Sequence, residues 1–108
     1  MTAGITQIET TIGRTTNDGP SITRIYHVGQ HTVRVRIARD FYLTQSHALA
    51  EVLTPQLTWT ALCEQPPQHF FDQTALNGPK AADTEALLLN LADELANRAA
   101  RILRAPTE

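Results

Sequence analysis

The residues of this chain best suited to chemistry are its arginines. Between Ile22 and Arg39 stand Arg24, Arg34, Arg36 and Arg39 with no acid, so this stretch carries +4. A guanidinium is a planar fork of donors that matches phosphate and carboxylate. Arginines on an exposed sheet could hold the phosphates of a single strand or an RNA loop. The same residues could receive an acidic protein partner, or keep a solvated sheet from aggregating. Arginine outnumbers lysine eight to one across the chain. A GC-rich coding genome accounts for that bias, so only the clustering carries meaning.

Four histidines come next: His27, His31, His47 and His69. No pair has the spacing of a helical metal site or of any zinc signature. His27 and His31 flank a turn but fall on opposite faces of the expected hairpin. His47 could approach one of them only if its strand pairs with the hairpin, with Asp40 as a further ligand. The expectation is no metal and no cofactor. Cys63 with His69 is the one thiol–base combination, and a nucleophilic thiol needs a lowered pKa. Cys63 is expected at the end of a short helix beside Glu64, where both the dipole and the carboxylate disfavour a thiolate. We expect an inert thiol. Asp40, Glu51 and Asp72 are too scattered for paired acid–base work. The chain has no Gly-x-Ser-x-Gly, P-loop, dinucleotide fingerprint or His-Glu-x-x-His motif. No catalytic residue is nominated.

Aromatic residues give a second candidate surface. Trp59 and the pair Phe70-Phe71 lie among Pro55, Pro66 and Pro67. They could close the end of the core, or anchor a partner, since aromatics are enriched at interface hot spots. The binding candidates are therefore Arg34, Arg36 and His27 on one surface, and Trp59 and Phe70 on the other.

The composition bounds these readings. The chain has 108 residues, 42% hydrophobic and 19% charged, with a net charge of −2. Those values describe one folded domain with no global basic field for nucleic acid or anionic membrane. Residues 55–108 carry seven acids against four bases. The longest apolar run is Ala86 to Leu89, far short of the roughly 20 residues a membrane span needs. The N-terminus has neither the basic nor the apolar region of a signal peptide. A single cysteine excludes an internal disulfide and suits a reducing compartment. A cytoplasmic protein is expected.

The elements that must position these residues follow from periodicity. The first half is rich in β-branched residues and the last quarter in Ala and Leu, with one switch near Pro79. Ile5 to Thr16 reads as a strand, and Asn17-Asp18-Gly19-Pro20 as a turn. Ser21 to Val28 and His31 to Arg39 form a hairpin about Gly29-Gln30. That loop sets Val28 against His31, Tyr26 against Val33, Arg24 against Val35 and Ile22 against Ile37. Six of those eight residues are apolar or aromatic, and a one-residue slip would mix the faces. Thr23, Ile25, His27, Thr32, Arg34 and Arg36 fall on the other face, which has no aromatic. Strand-binding sheets usually stack bases on aromatics, so this counts against nucleic acid.

Asp40 to Gln45 is expected as a bend or a continuing strand, and Ser46 to Thr54 as a fourth strand, although Ala48, Leu49, Ala50 and Leu53 would also suit a helix. Leu57 to Glu64 reads as a short helix ended by Pro66-Pro67. Gln68 to Asn77 is irregular, and Asn77-Gly78-Pro79 turns. A long helix starts at Lys80 or Asp83 and ends near Leu103. Its stripe is Leu88, Leu91, Leu95, Ala99 and Ile102, widened by Leu87, Ala92 and Leu103. Asp83 and Glu85 at its start, and Arg98, Arg101 and Arg104 at its end, favour the dipole. Glu94 and Arg98 are placed as an i,i+4 pair.

The fold class expected is α+β, a four-stranded antiparallel meander followed by a short helix and a long C-terminal helix on one face. It is one domain: a meander over 1–54, a short helix and irregular segment over 55–79, and the helix over 80–104. The helix, longer than four strands are wide, should overhang and offer its stripe to a second copy. The function expected is a non-catalytic binding domain that forms a homodimer and contacts another macromolecule, a second protein being one candidate. A nucleic-acid-binding protein using the arginine hairpin is the alternative, and a ligand carrier or enzyme with a site at the dimer interface the third reading. In order of elements alone the chain resembles the single-strand-binding transcription coactivators. That resemblance covers topology and no motif, and no residue role is carried over from it.

Overall fold

A computed structural model describes residues 5–15, 19–74 and 81–104. Five strands come first: β1 (Ile5–Arg14), β2 (Pro20–Val28), β3 (His31–Ala38), β4 (His47–Leu53) and β5 (Trp59–Glu64). They form one antiparallel sheet in chain order. A one-turn helix α1 (Gln68–Phe71) and the long helix α2 (Ala81–Arg104) follow. The class is α+β as expected, with five strands in place of four.

The β2–β3 hairpin has the expected register, from Val28 opposite His31 to Ile22 opposite Ile37. Gly29 makes it possible by taking φ +62°, a conformation other residues resist. The segment expected as a helix over Leu57–Glu64 is a turn followed by β5. Thr54 donates its amide to the Thr58 carbonyl at 2.8 Å and Leu57 its amide to the Thr54 carbonyl at 2.9 Å. This turn folds β5 back on β4, which satisfies backbone groups that a lone helical turn would leave open. Of the two readings for Asp40 to Gln45 the bend is the one found, with a 3₁₀ turn at Leu43–Gln45, and the fourth strand starts at His47 rather than Ser46. Where an irregular segment was expected, Gln68–Phe71 is helical. The turn at Asn77-Gly78-Pro79 lies outside the described residues, as do Asn17 and Asp18.

The core lies between α2 and one face of the sheet. Ile22, Tyr26, Val28, Val33, Val35, Ile37, Ala48 and Ala50 meet Leu88, Ala92, Leu95, Ala96, Ala99 and Ala100. The helix face differs from the expected stripe. Leu88, Leu95 and Ala99 are buried, but Ile102 is exposed and Ala96 and Ala100 are buried in its place. Hydropathy ranks Ile above Ala, so periodicity favours the larger residues. Close helix–sheet approach selects the small ones, because packing to interior density leaves no room for more.

Polar contacts fix the helix direction. Asp93 on α2 accepts from Arg24 Nη1 at 2.8 Å and from the Tyr26 hydroxyl at 3.0 Å, both on β2. Burial, reinforced by Asp93, pushes the Tyr26 phenol up to about 12. One turn later, Arg98 donates to Gln65, just past β5, at 2.6 Å, rather than turning to Glu94. Neighbouring helix turns thus reach strands on opposite sides, so the axis runs along the strands. The expectation of overhang assumed that it crossed them.

A second polar cluster closes the end of the sheet. Arg39 is 5% exposed and Asp40 1%. Arg39 donates to Thr74 Oγ1 at 2.6 Å, to the Thr74 carbonyl at 3.0 Å and to the Asp40 carbonyl, and its guanidinium lies 3.7 Å from the Phe71 ring centre. The Asp40 carboxylate accepts from the Thr15 hydroxyl and from the Tyr42 amide at 3.1 Å. The Asp40 amide donates to Ser46 Oγ at 3.0 Å. This cluster ties the β1–β2 turn, the end of β3 and the segment after α1 together.

Candidate functional site

The face of the sheet away from α2 is covered by nothing among the described residues. Period-two alternation places His27 on β2, Arg34 and Arg36 on β3, and His47, Leu49 and Glu51 on β4 together on it. Trp59, opposite Leu53, joins them from β5. Sequence periodicity correctly puts Arg34, Arg36 and His27 on this face. The addition of β5 corrects the expectation that the face has no aromatic.

At its centre is a triad. Arg34 Nε donates to Glu51 Oε1 at 2.9 Å. Arg36 forks onto the same carboxylate, Nε to Oε1 at 2.9 Å and Nη2 to Oε2 at 3.1 Å. The Arg34 guanidinium also lies 4.3 Å from the centre of the Trp59 ring. A cation over an indole face is stabilising, more so where water is partly excluded. Glu51 is 6% exposed although it sits on the uncovered face, because the two arginines roof it.

Burial pushes the Glu51 carboxyl up, but hydrogen bonds from Arg34 and Arg36 outweigh burial and hold it below its ordinary value of 4.5. A carboxyl depressed in the folded state binds its proton more tightly in the unfolded chain. Its stabilisation is therefore complete above the unfolded value and is lost as pH falls through the folded one. Urea denaturation from pH 7 to pH 3 should show this loss in the wild type. Glu51→Gln should lose about 1–2 kcal/mol at pH 7 and show a shallower pH dependence below pH 4.5. An unchanged slope would exclude the triad as a source of acid sensitivity.

The face is not basic overall. By register Glu9 on β1 and Glu64 on β5 share it, so three acids stand against two arginines. The other two hairpin arginines point elsewhere, Arg24 to Asp93 and Arg39 into the buried cluster. Burial, then Arg36, hold the His47 imidazole below its ordinary range. His27 and His31 are on opposite faces as expected. No group of three metal-ligating side chains comes together among the described residues.

The remaining candidates separate. Phe70, nominated as a partner anchor, is 7% exposed and packs in the core. Cys63 lies on β5 rather than at a helix end, half-buried, with Sγ 4.0 Å from the Leu95 carbonyl. Burial raises its thiol against the pull of Arg98 and Arg101. His69 turns to Gln65 at 2.8 Å. An open cleft of about 450 Å³ at the end of the sheet is lined by Arg36, His47, Asp40 and Thr15, but the Asp40 carboxylate is already engaged.

Leu57, which periodicity does not single out, stands at the tip of the β4–β5 turn, 78% exposed with φ +64°. A branched side chain in this region costs about 1–2 kcal/mol. It recovers none of that by burial. Leu57→Gly should raise stability by about 0.5–1 kcal/mol after allowing for the freer unfolded chain. Thermal unfolding should show a gain of roughly 4 °C; a loss would mean that Leu57 packs in the folded chain.

No helix is long and apolar enough to cross a membrane among the described residues. No family model, curated protein or solved structure matches this chain.

Proposed function

We propose that this is a non-catalytic protein-binding domain of the cytoplasm whose docking surface is the open face of the sheet. The observation that carries the reading is the make-up of that face. Ile25, Leu49, Leu53 and Trp59 lie half-buried around the Arg34–Glu51–Arg36 triad and belong to no core cluster. Such a mixture of half-exposed apolar groups and locally balanced charge suits a protein surface. Nucleic acid is disfavoured because Glu51 neutralises part of the charge of Arg34 and Arg36 and holds Nε of both and Nη2 of Arg36, and the acids on this face outnumber the arginines. Leu57, strained and exposed two residues before Trp59, extends the surface to the turn.

Two measurements test this. Fluorescence anisotropy with single-stranded DNA, duplex DNA and RNA at about 50 mM salt should show no binding at tens of micromolar, where phosphate contacts are strongest. A photo-crosslinker at position 23, opposite Arg36 on the open face, should capture a discrete protein in cells, whereas one at Asn90 on the exposed side of α2 should not. Nucleic-acid binding that fades with salt and vanishes in Arg34→Ala/Arg36→Ala would reverse the reading.

A further inference from the structure

One helix cannot cover five strands. A helix with its side chains is about 10 Å wide, and the outer strands of such a sheet lie about 19 Å apart. Contacts from α2 reach Arg24 and Tyr26 on β2, and Cys63 on β5. β1 is left at the margin, where Ile5 alone packs against the core. None of its ten residues is buried, and Ile8 and Ile12 are 50% and 52% exposed. Ile12, opposite Ile22, stands on the helix side of the sheet but beyond the shelter of α2.

The two edges of the sheet are not alike. β5 is six residues long, bulged against β4, and framed by Pro55 before it and Pro66-Pro67 after it. Short strands, bulges and prolines are the usual guards of an exposed edge. β1 is ten residues long with no lysine and no proline. A bulge between Gln7 and Glu9 interrupts it once, leaving Glu9 to Gly13 as an unbroken run. No strand lies on its outer side among the described residues.

We propose that the outer edge of β1 is a self-association surface, where a second copy of this chain pairs antiparallel about a twofold axis to give a ten-stranded sheet. A second copy fits because an antiparallel edge is complementary to itself. Under a twofold axis each outward N–H meets a carbonyl of the same run, with no other sequence required. The pairing also brings the two copies of Ile12 toward each other in the groove between the two α2 helices. A ten-residue strand is about 33 Å long and about 10 Å deep through its side chains. The two copies together bury about 660 Å² along this edge, less than the roughly 1,000 Å² of a stable interface, so the pairing is a weak one with a dissociation constant of about 100 µM. This dimer uses the sheet edge and leaves the open face of each copy free, so it stands apart from the docking surface proposed above.

Sedimentation equilibrium of the full chain from about 1 to 500 µM, a range that brackets such a constant, tests the proposal. The mass should rise from 11.9 kDa toward twice that value. Ile8→Lys/Ile12→Lys alters two half-exposed side chains and should fold, as checked by circular dichroism. Its association constant should fall at least 100-fold. Thr11→Lys, on the opposite side of the same strand, should weaken association in the same direction. A monomer at every concentration would overturn the proposal, as would a dimer that both variants leave unchanged.

Discussion

Arg39→Ala is expected to cost about 4 kcal/mol, a large share of the roughly 5–15 kcal/mol that holds a domain of this size together. The cost comes from what is left behind. The Thr74 carbonyl and hydroxyl and the Asp40 carbonyl lose a charged donor, and the Phe71 ring loses the guanidinium stacked on it. Each buried acceptor without a partner costs about 1–3 kcal/mol. The segment after α1 would also lose its link to the sheet, because Thr74 is held to β3 through this one side chain. Urea denaturation at pH 7 measures the effect. Thr74→Val should cost only about 1 kcal/mol, and less still in the Arg39→Ala background. A loss below about 1 kcal/mol for Arg39→Ala would mean that water replaces the guanidinium without penalty.

Gly19→Ala is expected to cost about 3 kcal/mol through a different mechanism. A Cβ built on Gly19 would lie 2.0 Å from the Arg39 carbonyl oxygen and 3.0 Å from Asp40 Cα. Both are backbone atoms, so no side-chain rotation relieves the clash. The end of β3 would have to move from the β1–β2 turn, opening the bond from the Arg39 amide to the Pro20 carbonyl at 3.0 Å. Gly29→Ala offers the contrast. Its Cβ would meet nothing within 4 Å, and only the φ of +62° opposes it, at about 1 kcal/mol. Thermal unfolding of the two variants should therefore differ by roughly 10 °C. Equal losses would mean that the turn, not the close approach, sets the cost at Gly19.

Which parts of this structure the sequence reveals follows the range of the interactions. The β2–β3 hairpin is legible because a two-residue loop fixes the register, and Ile22, Tyr26, Val28, Val33, Val35 and Ile37 then share a face. The long helix is legible in extent, from its end charges and spacing. Its buried side is less so, since Ala96 and Ala100 are chosen by the sheet beneath them and not by their own hydropathy. β5 is hidden because Trp59 to Glu64 is short and suits helix or strand. Only pairing with β4 decides it, and that contact depends on the turn at Thr54 to Thr58.

Glu51 shows the same limit at the site. Its partners lie 15 and 17 residues away across a connection that contains a bend, so no fixed loop length gives the register. One signal was present. With Ala48 and Ala50 turned to the helix, alternation sends His47, Leu49 and Glu51 to the face of Arg34 and Arg36. The arginines were visible as a cluster of charge; the carboxylate that organises them was visible only as an isolated acid. Trp59 stands out by its type, and its stacking on Arg34 depends on the fifth strand.

Cys63 gives the molecule a built-in reporter. The thiol is half-buried against the Leu95 carbonyl, and burial keeps it protonated and slow to react. A bulky disulfide reagent needs a clear approach to Sγ, which α2 obstructs. Labelling should therefore follow the fraction of molecules in which the helix has lifted from the sheet, at concentrations where reclosing outpaces reaction. The single sulfhydryl makes that readout unambiguous, since the chain has no second one to consume reagent. The free energy of local helix opening could thus be measured in the unaltered protein, without a dye or an engineered probe.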